Sequence, residues 1–337
     1  MGKFFKGKIL LTMLLAISVV LAACGDSAEP GESKSQNLKM SVTVSDSSTW
    51  YEAASKFATD VEEETDGRIK IQVYTNEQLS GGDSSKAVEG LAKGSIDLTF
   101  NSTIIYSVLD PRFGVISAPF LFQTNEQVEK ALAGEGGEGL TKVLAEKGVH
   151  ALGFGESGFR QITNSKRPIQ KPEDLEGLKI RIPGITMYTD LFRELGTDPT
   201  TMTFSEVFTS LQQGTIDGQE NPIDVISSSK LQEVQKYMTL WNYSYDPIVL
   251  GMNKKLYDSL SDEDKEIFDR LGKEATKYQV KISREKEAKQ IEDLKASGME
   301  VYTPTAEEIA AFQETVQPIY DKYTDVWGAD LLKAFQQ

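Results

Sequence analysis

The sequence predicts an α/β protein of two lobes. Three observations carry that reading. Alternating apolar segments are separated by amphipathic helical stretches, the pattern of parallel sheet covered by helices. One eleven-residue motif occurs twice. The foldable stretch, about 300 residues, is enough for two domains of about 150 each.

The elements follow in order. Residues 38–44, LKMSVTV, alternate strictly and predict a strand. Ala53, Ala54, Phe57, Ala58 and Val61 share one face of a helix, which Asp66-Gly67 ends, and Ile69, Ile71 and Val73 mark the next strand. A shorter helix carries Ala87, Val88, Leu91 and Ala92, stops at Gly94, and gives way to a strand with Ile96, Leu98 and Phe100. The grammar then returns. Leu178, Ile180 and Ile182 form a strand closed by Pro183-Gly184, Met187 to Leu195 make a helical stripe, and Val207, Phe208 and Leu211 make another, stopped by Gly214.

The repeated motif is LAKGSIDLTFN at 91–101 and LQQGTIDGQEN at 211–221. Each copy is a helix end, a glycine cap, a small hydroxyl, Ile-Asp, a strand, and an asparagine at the strand's far end. Either two helix–glycine–strand joints coincide by chance, or two related lobes offer Asn101 and Asn221 at the same place. In open α/β sheets ligands lie beyond the carboxyl ends of strands, and Arg181 falls near such an end as well. Residues 261–295 read as one very long helix, with Ser261 and Asp264 as a capping box and Gly298 as the stop. At about 1.5 Å per residue it would reach roughly 50 Å, enough to run across both lobes. Thr305 and Glu308 open a last helical stretch with a second capping box, and Pro318 should bend or break it.

The chain's start predicts export. Lys3, Lys6 and Lys8 precede an apolar run too short for a membrane span, which fits a signal peptide over residues 1–23. The run ends in Leu21-Ala22-Ala23-Cys24, which resembles the lipobox of bacterial lipoproteins, so Cys24 is the expected lipidation site and membrane anchor. Cys24 is the only cysteine, so no disulfide is available. Residues 24–37 read as a polar, flexible tether. The formal net charge of −15 argues against nucleic-acid partners and makes any anion site a local positive pocket.

No G-x-G-x-x-G, P-loop or G-x-S-x-G is present, and the sole histidine, His150, has no second metal-binding or catalytic partner. Nothing assembles nucleophile, base and orienting group, so neither catalysis nor a metal or cofactor is expected. Arg160 and Arg181, in GFRQITNSKRPIQKPEDLEGLKIRIPG, remain as anion-binding candidates because a guanidinium matches a carboxylate through two parallel N–H···O bonds. Taken alone, Arg181 could equally pair with Glu176 at the surface. Glu220, beside Asn221, could coordinate a cation or hydrogen-bond within its loop.

These segments, with GGDSSKAVEGLAKGSIDLTF, ISAPFLF, MTFSEVFTSLQQGTIDGQENP and YDPIVLGMNKKLYDSL, resemble the DctP-type solute-binding proteins of tripartite ATP-independent periplasmic (TRAP) transporters. The resemblance covers nearly all of the mature chain. It implies a two-lobed periplasmic-binding-protein-like fold with a hinged central cleft, lobe 1 comprising 38–157 with 247–286 and lobe 2 comprising 158–246 with 287–337. It implies that Arg181 forms the bidentate pair with a substrate carboxylate. Arg160 would be a second donor, Asn221 a neutral donor, and Phe204 a packing surface for the ligand's carbons. Ser47, Trp50, Asp83, Asn101 and Ser102 are the first-lobe candidates, although Trp50 and Phe204 are core aromatics as readily as ligand contacts. Asn101-Ser102 stands where sialic-acid-binding members carry an acid, which argues against that ligand. The implied role is capture of a small organic acid, such as a C4-dicarboxylate, a uronic or an aldonic acid, for uptake by TRAP membrane subunits. Two other readings stay open at this point: a ligand-presenting partner of a membrane sensor kinase, and an anchored extracellular enzyme acting on acidic sugars.

Overall fold

A computed structural model describes residues 35–337; the expected signal peptide over 1–23, Cys24 and the expected tether up to residue 34 lie outside the described residues. The first sheet opens with β1 (Gln36–Val42), which starts two residues before the expected Leu38. Helix α1 (Thr49–Glu64) crosses to β2 (Ile69–Tyr74), and α2 (Ser84–Lys93) leads to β3 (Leu98–Ser102). Strand β1 lies between β2 and β3 and runs parallel to both. Ala53, Ala54, Phe57 and Val61 of α1 are buried against the sheet, as their spacing predicts.

Helices α3 (Asn125–Ala133) and α4 (Glu135–Glu146) precede β4 (Val149–Asn164). The second sheet adds β5 (Lys179–Ile182), α5 (Thr186–Glu194), β6 (Asp198–Thr201), α6 (Val207–Gln212) and β7 (Gly218–Pro222). After α7 (Ile223–Ser228) and β8 (Tyr237–Thr239), strand β9 (Tyr245–Asn253) returns the chain to the first sheet. The strand order is β2-β1-β3-β9-β4-β7-β5-β6. Strand β4 joins the halves: its first part pairs with β9 and its last five residues pair with β7. Within the β9 pairing the register shifts at Ala151/Gly153 and again at Glu156/Gly158, where Gly158 takes φ +104°, a conformation open to glycine and strained for other residues.

The motif repeat is a structural repeat. Asp97 accepts the backbone N–H of Lys39 beside β1 at 2.8 Å, and Asp217 accepts that of Lys179 in β5 at 2.9 Å. The Ser95 hydroxyl donates to the Gly90 carbonyl at 3.3 Å, and the Thr215 hydroxyl donates to that of Ser210 at 3.0 Å. Both lobes therefore carry the same helix–strand joint, and chance coincidence of sequence does not explain shared hydrogen bonds.

After the short α8 (Lys254–Asp258), helix α9 (Asp262–Ala296) runs for 35 residues and packs on α1 and β4 of one half and α7 of the other. Ser261 accepts from the Asp264 N–H at 3.1 Å, but the expected reciprocal bond gives way to an ion pair of Asp264 with Arg68 at 2.6 Å. Strand β10 (Glu300–Tyr302) pairs with β8. The Thr305–Glu308 capping box closes on both sides, and α10 (Ala306–Thr315) ends before α11 (Gln317–Trp327), which carries Pro318 in its first turn. Helix α12 (Ala329–Phe335) ends the fold. The last helices pack on residues 111–117, on α4 and on α5, so the C-terminal segment fastens elements that follow β3 and β5. His150 serves structure, bonding Asp269 at 2.9 Å and stacking on Tyr257. No helix among the described residues is long and apolar enough to cross a membrane.

Candidate functional site

A cavity of about 240 Å³ opens where the carboxyl ends of β1, β3, β5, β6 and β7 converge. That is below the roughly 300–1,000 Å³ of drug-sized sites, so it suits a small solute. Seven of the nine predicted residues line it: Trp50, Asp83, Ser102, Arg160, Arg181, Phe204 and Asn221.

Arg181 is 4% exposed and has no carboxylate partner among the described residues. Its alternative pairing with Glu176 does not occur. Nε and Nη2 instead donate to the Met202 carbonyl, at 3.2 and 2.8 Å, and its Cζ lies over the Phe204 ring, 5.6 Å from the centroid. This fixes the side-on edge and leaves the Nη1/Nη2 end with three N–H groups free. Burial, reinforced by the neighbouring Arg160 and only partly offset by Glu220, lowers its pKa to about 10. The group remains charged at neutral pH while lacking a compensating anion, an expensive arrangement in a protein interior.

Arg160 is a different case. It is 3% exposed and held by two acids: Nε and Nη2 bind Glu220, the latter at 3.0 Å, and Nη1 binds Asp246 at 2.6 Å. Burial works against its charge, but Glu220 and Asp246 outweigh that and hold its pKa well above the ordinary value. Glu220 therefore neither faces a cation in a loop nor bonds within one; as a β7 residue it is tied to Arg160 and to the Tyr243 hydroxyl at 2.6 Å. Burial pushes Asp246 up to about 6 against the pull of Arg160 and Ser102.

Asn221 connects the set. Its Oδ1 accepts from Arg160 Nη2 at 3.1 Å and its Nδ2 donates to Gln219 at 2.5 Å, leaving one amide hydrogen uncommitted. Phe204 lines the cavity and also stacks on Arg181, so it supports the cation as well as facing the space. Trp50 is both core and lining, with a buried indole N–H that has no partner among the described residues. Ser102 donates to Asp246. Asp83 lines the cavity while its carboxylate caps α2, accepting from Ser85 and Lys86.

Two predicted residues are not in the lining. Asn101 is fully buried behind it, with Nδ2 donating to Glu77 at 2.8 Å. Ser47 is exposed, with its hydroxyl on Ser45 and the Ser228 carbonyl. Sequence reasoning missed Asp246, Thr43, Ser85, Met202 and Thr203 as lining residues. Asp246 left a signal: an acid at the head of the apolar run from Ile248 to Leu250 requires a buried partner.

The profile of the DctP family, described as bacterial extracellular solute-binding protein, family 7, matches residues 40–325. The 2,3-diketo-L-gulonate-binding periplasmic protein YiaO of Escherichia coli is 34% identical over 305 residues, 90% of this chain and 92% of its own length. A TRAP periplasmic solute-binding protein from Ralstonia eutropha, crystallised with (S)-2-acetolactate, superposes with a TM-score of 0.87 at 33% identity, covering 89% of this chain and 97% of that one. The sugar-acid-binding protein DctPAm from Advenella mimigardefordensis, in complex with galactonate, also gives 0.87 at 33% identity, covering 90% and 98%.

Proposed function

We propose a function from one premise: the chain belongs to the DctP family of bacterial extracellular solute-binding proteins. It is the extracytoplasmic binding subunit of a TRAP transporter and captures a small organic acid for secondary uptake. The observation that carries this reading is Arg181, a buried guanidinium without an anion, its free end at a solute-sized cavity. A ligand carboxylate would supply the missing charge through Nη1 and Nη2, with Asn221 donating beside it. Charge-assisted bonds contribute about 1.5–3 kcal/mol each, so a few of them account for micromolar affinity, near −8 kcal/mol.

The remaining assignments are part of the proposal. The lobes are 38–157 with 247–286 and 158–246 with 287–337, hinged where β4 passes between sheet halves. Cys24 carries a lipid anchor, which rests on the Leu21-Ala22-Ala23-Cys24 motif. The partners are the small and large TRAP membrane subunits. The named relatives bind solutes, and the cavity is supplied with donors and acceptors for holding one, which favours delivery over turnover. A thermal-shift panel of organic acids tests the reading. A ligand at 100 times its Kd should stabilise the protein by about 2.7 kcal/mol, and a panel of hydroxy, keto, sugar and dicarboxylic acids without one binder would refute it.

A further inference from the structure

We infer that the cavity selects monocarboxylates bearing hydroxyl groups over dicarboxylates; the inference rests on the reading of the site as a carboxylate trap. Charge is the first reason. Two guanidinium groups line the cavity, but Arg160 is already bound by Glu220 and Asp246, so Arg181 alone is unpaired. One ligand carboxylate satisfies it. A second would enter a space walled by the carboxylates of Asp83 and Asp246 with no further lysine or arginine in the lining. An unpaired buried charge is strongly disfavoured.

Hydrogen-bond polarity is the second reason, and it is independent of net charge. The hydroxyl proton of Thr43 goes to Glu77 at 2.9 Å, and that of Ser102 goes to Asp246. Both residues therefore turn lone pairs, not protons, toward whatever they meet next. With the oxygens of Asp83 and Asp246 they set four acceptor groups in the lining, beside the hydroxyls of Ser85, Thr201 and Thr203, which can turn either way. An ionised carboxylate has only acceptors to offer, whereas a hydroxyl also donates. A carbon chain ending in hydroxyls thus matches this wall, and one ending in a second carboxylate opposes it.

Titration calorimetry at pH 7.5 with matched pairs isolates this effect. Erythronate and tartrate share four carbons, and galactonate and galactarate share six; within each pair one terminal hydroxymethyl becomes a carboxylate. The monocarboxylate that binds should do so at least tenfold more tightly than its dicarboxylate partner. In Asp83→Asn, which keeps a competent helix cap and removes one opposing charge, that gap should narrow at least threefold. If dicarboxylates bind as tightly as their partners, or are the best ligands of the whole organic-acid panel, the selectivity inference falls while carboxylate capture stands. If no acid of either class binds, capture itself falls and the selectivity with it.

Discussion

Replacing Arg181 with methionine should move stability and affinity in opposite directions. Methionine keeps much of the side chain's length and removes the charge. The pKa of Arg181 lies at about 10, below the ordinary guanidinium value because burial and the neighbouring Arg160 outweigh the pull of Glu220. At about 1.36 kcal/mol per pKa unit, that depression corresponds to roughly 3 kcal/mol of uncompensated desolvation. Methionine relieves it. Against the gain stands the Met202 carbonyl, which loses its donors at a cost of about 1–3 kcal/mol, and the stacking on Phe204. The ligand-free protein should therefore be as stable as the parent or more so by about 1 kcal/mol, read from urea midpoints. Binding should collapse, because two charge-assisted bonds of about 1.5–3 kcal/mol each are lost, at least a hundredfold in Kd. A variant destabilised by more than about 2 kcal/mol would mean that Arg181 is a structural cation. Affinity within threefold of the parent would mean that the carboxylate sits elsewhere.

Arg160→Met should give the reverse stability result, a loss of about 3–5 kcal/mol in urea unfolding, since Glu220 and Asp246 would be left buried side by side without a cation; stability within 1 kcal/mol of the parent would refute the triad's role. Asp246 should leave a pH signature. Its folded pKa of about 6 stands above the ordinary unfolded value of about 3.9. Its protonation therefore supports the fold fully below about pH 4, and that support is lost as pH rises through about 6, by roughly 3 kcal/mol in all. Urea midpoints of the parent and of Asp246→Asn should diverge across pH 4 to 7, the parent losing stability relative to the variant, and parallel curves would count against the assignment.

Local pattern made the strands, the helices and their caps legible, because period and cap chemistry are written in adjacent residues. The 35-residue α9 was readable for that reason, as was the repeat, whose Asp97 and Asp217 act through neighbours one strand away. What was hidden depends on long-range pairing. The capping partner expected of Asp264 is displaced by Arg68, which lies 196 residues away. Asn101 and Asn221 occupy matching strand ends, yet only Asn221 reaches the cavity, because Glu77, in a left-handed turn, draws Asn101 away. The double use of β4 was also invisible to local pattern. Its mixed apolar and polar residues do not by themselves reveal that its two parts pair with strands of different sheet halves; only the resemblance, with its lobe boundary at 157/158, pointed there.

The two arginines show why a site's chemistry is set by compensation more than by residue type. Both are almost fully buried, and both line one cavity. Arg160, in β4, meets acids from β7 and β9, and its charge is spent inside the protein. Arg181, in β5, is flanked by the parallel strands β6 and β7, which place Thr200 and Gln219 beside it, and its side chain reaches only a backbone carbonyl. A carbonyl orients a guanidinium without neutralising it. Arg160 and its acids therefore build a rigid wall of fixed charge, and Arg181 is the one group whose energy improves when an anion arrives. Affinity follows from that asymmetry. So does its limit: the cavity offers one guanidinium not already bound by an acid, and a ligand bringing two negative charges must carry the second at its own cost.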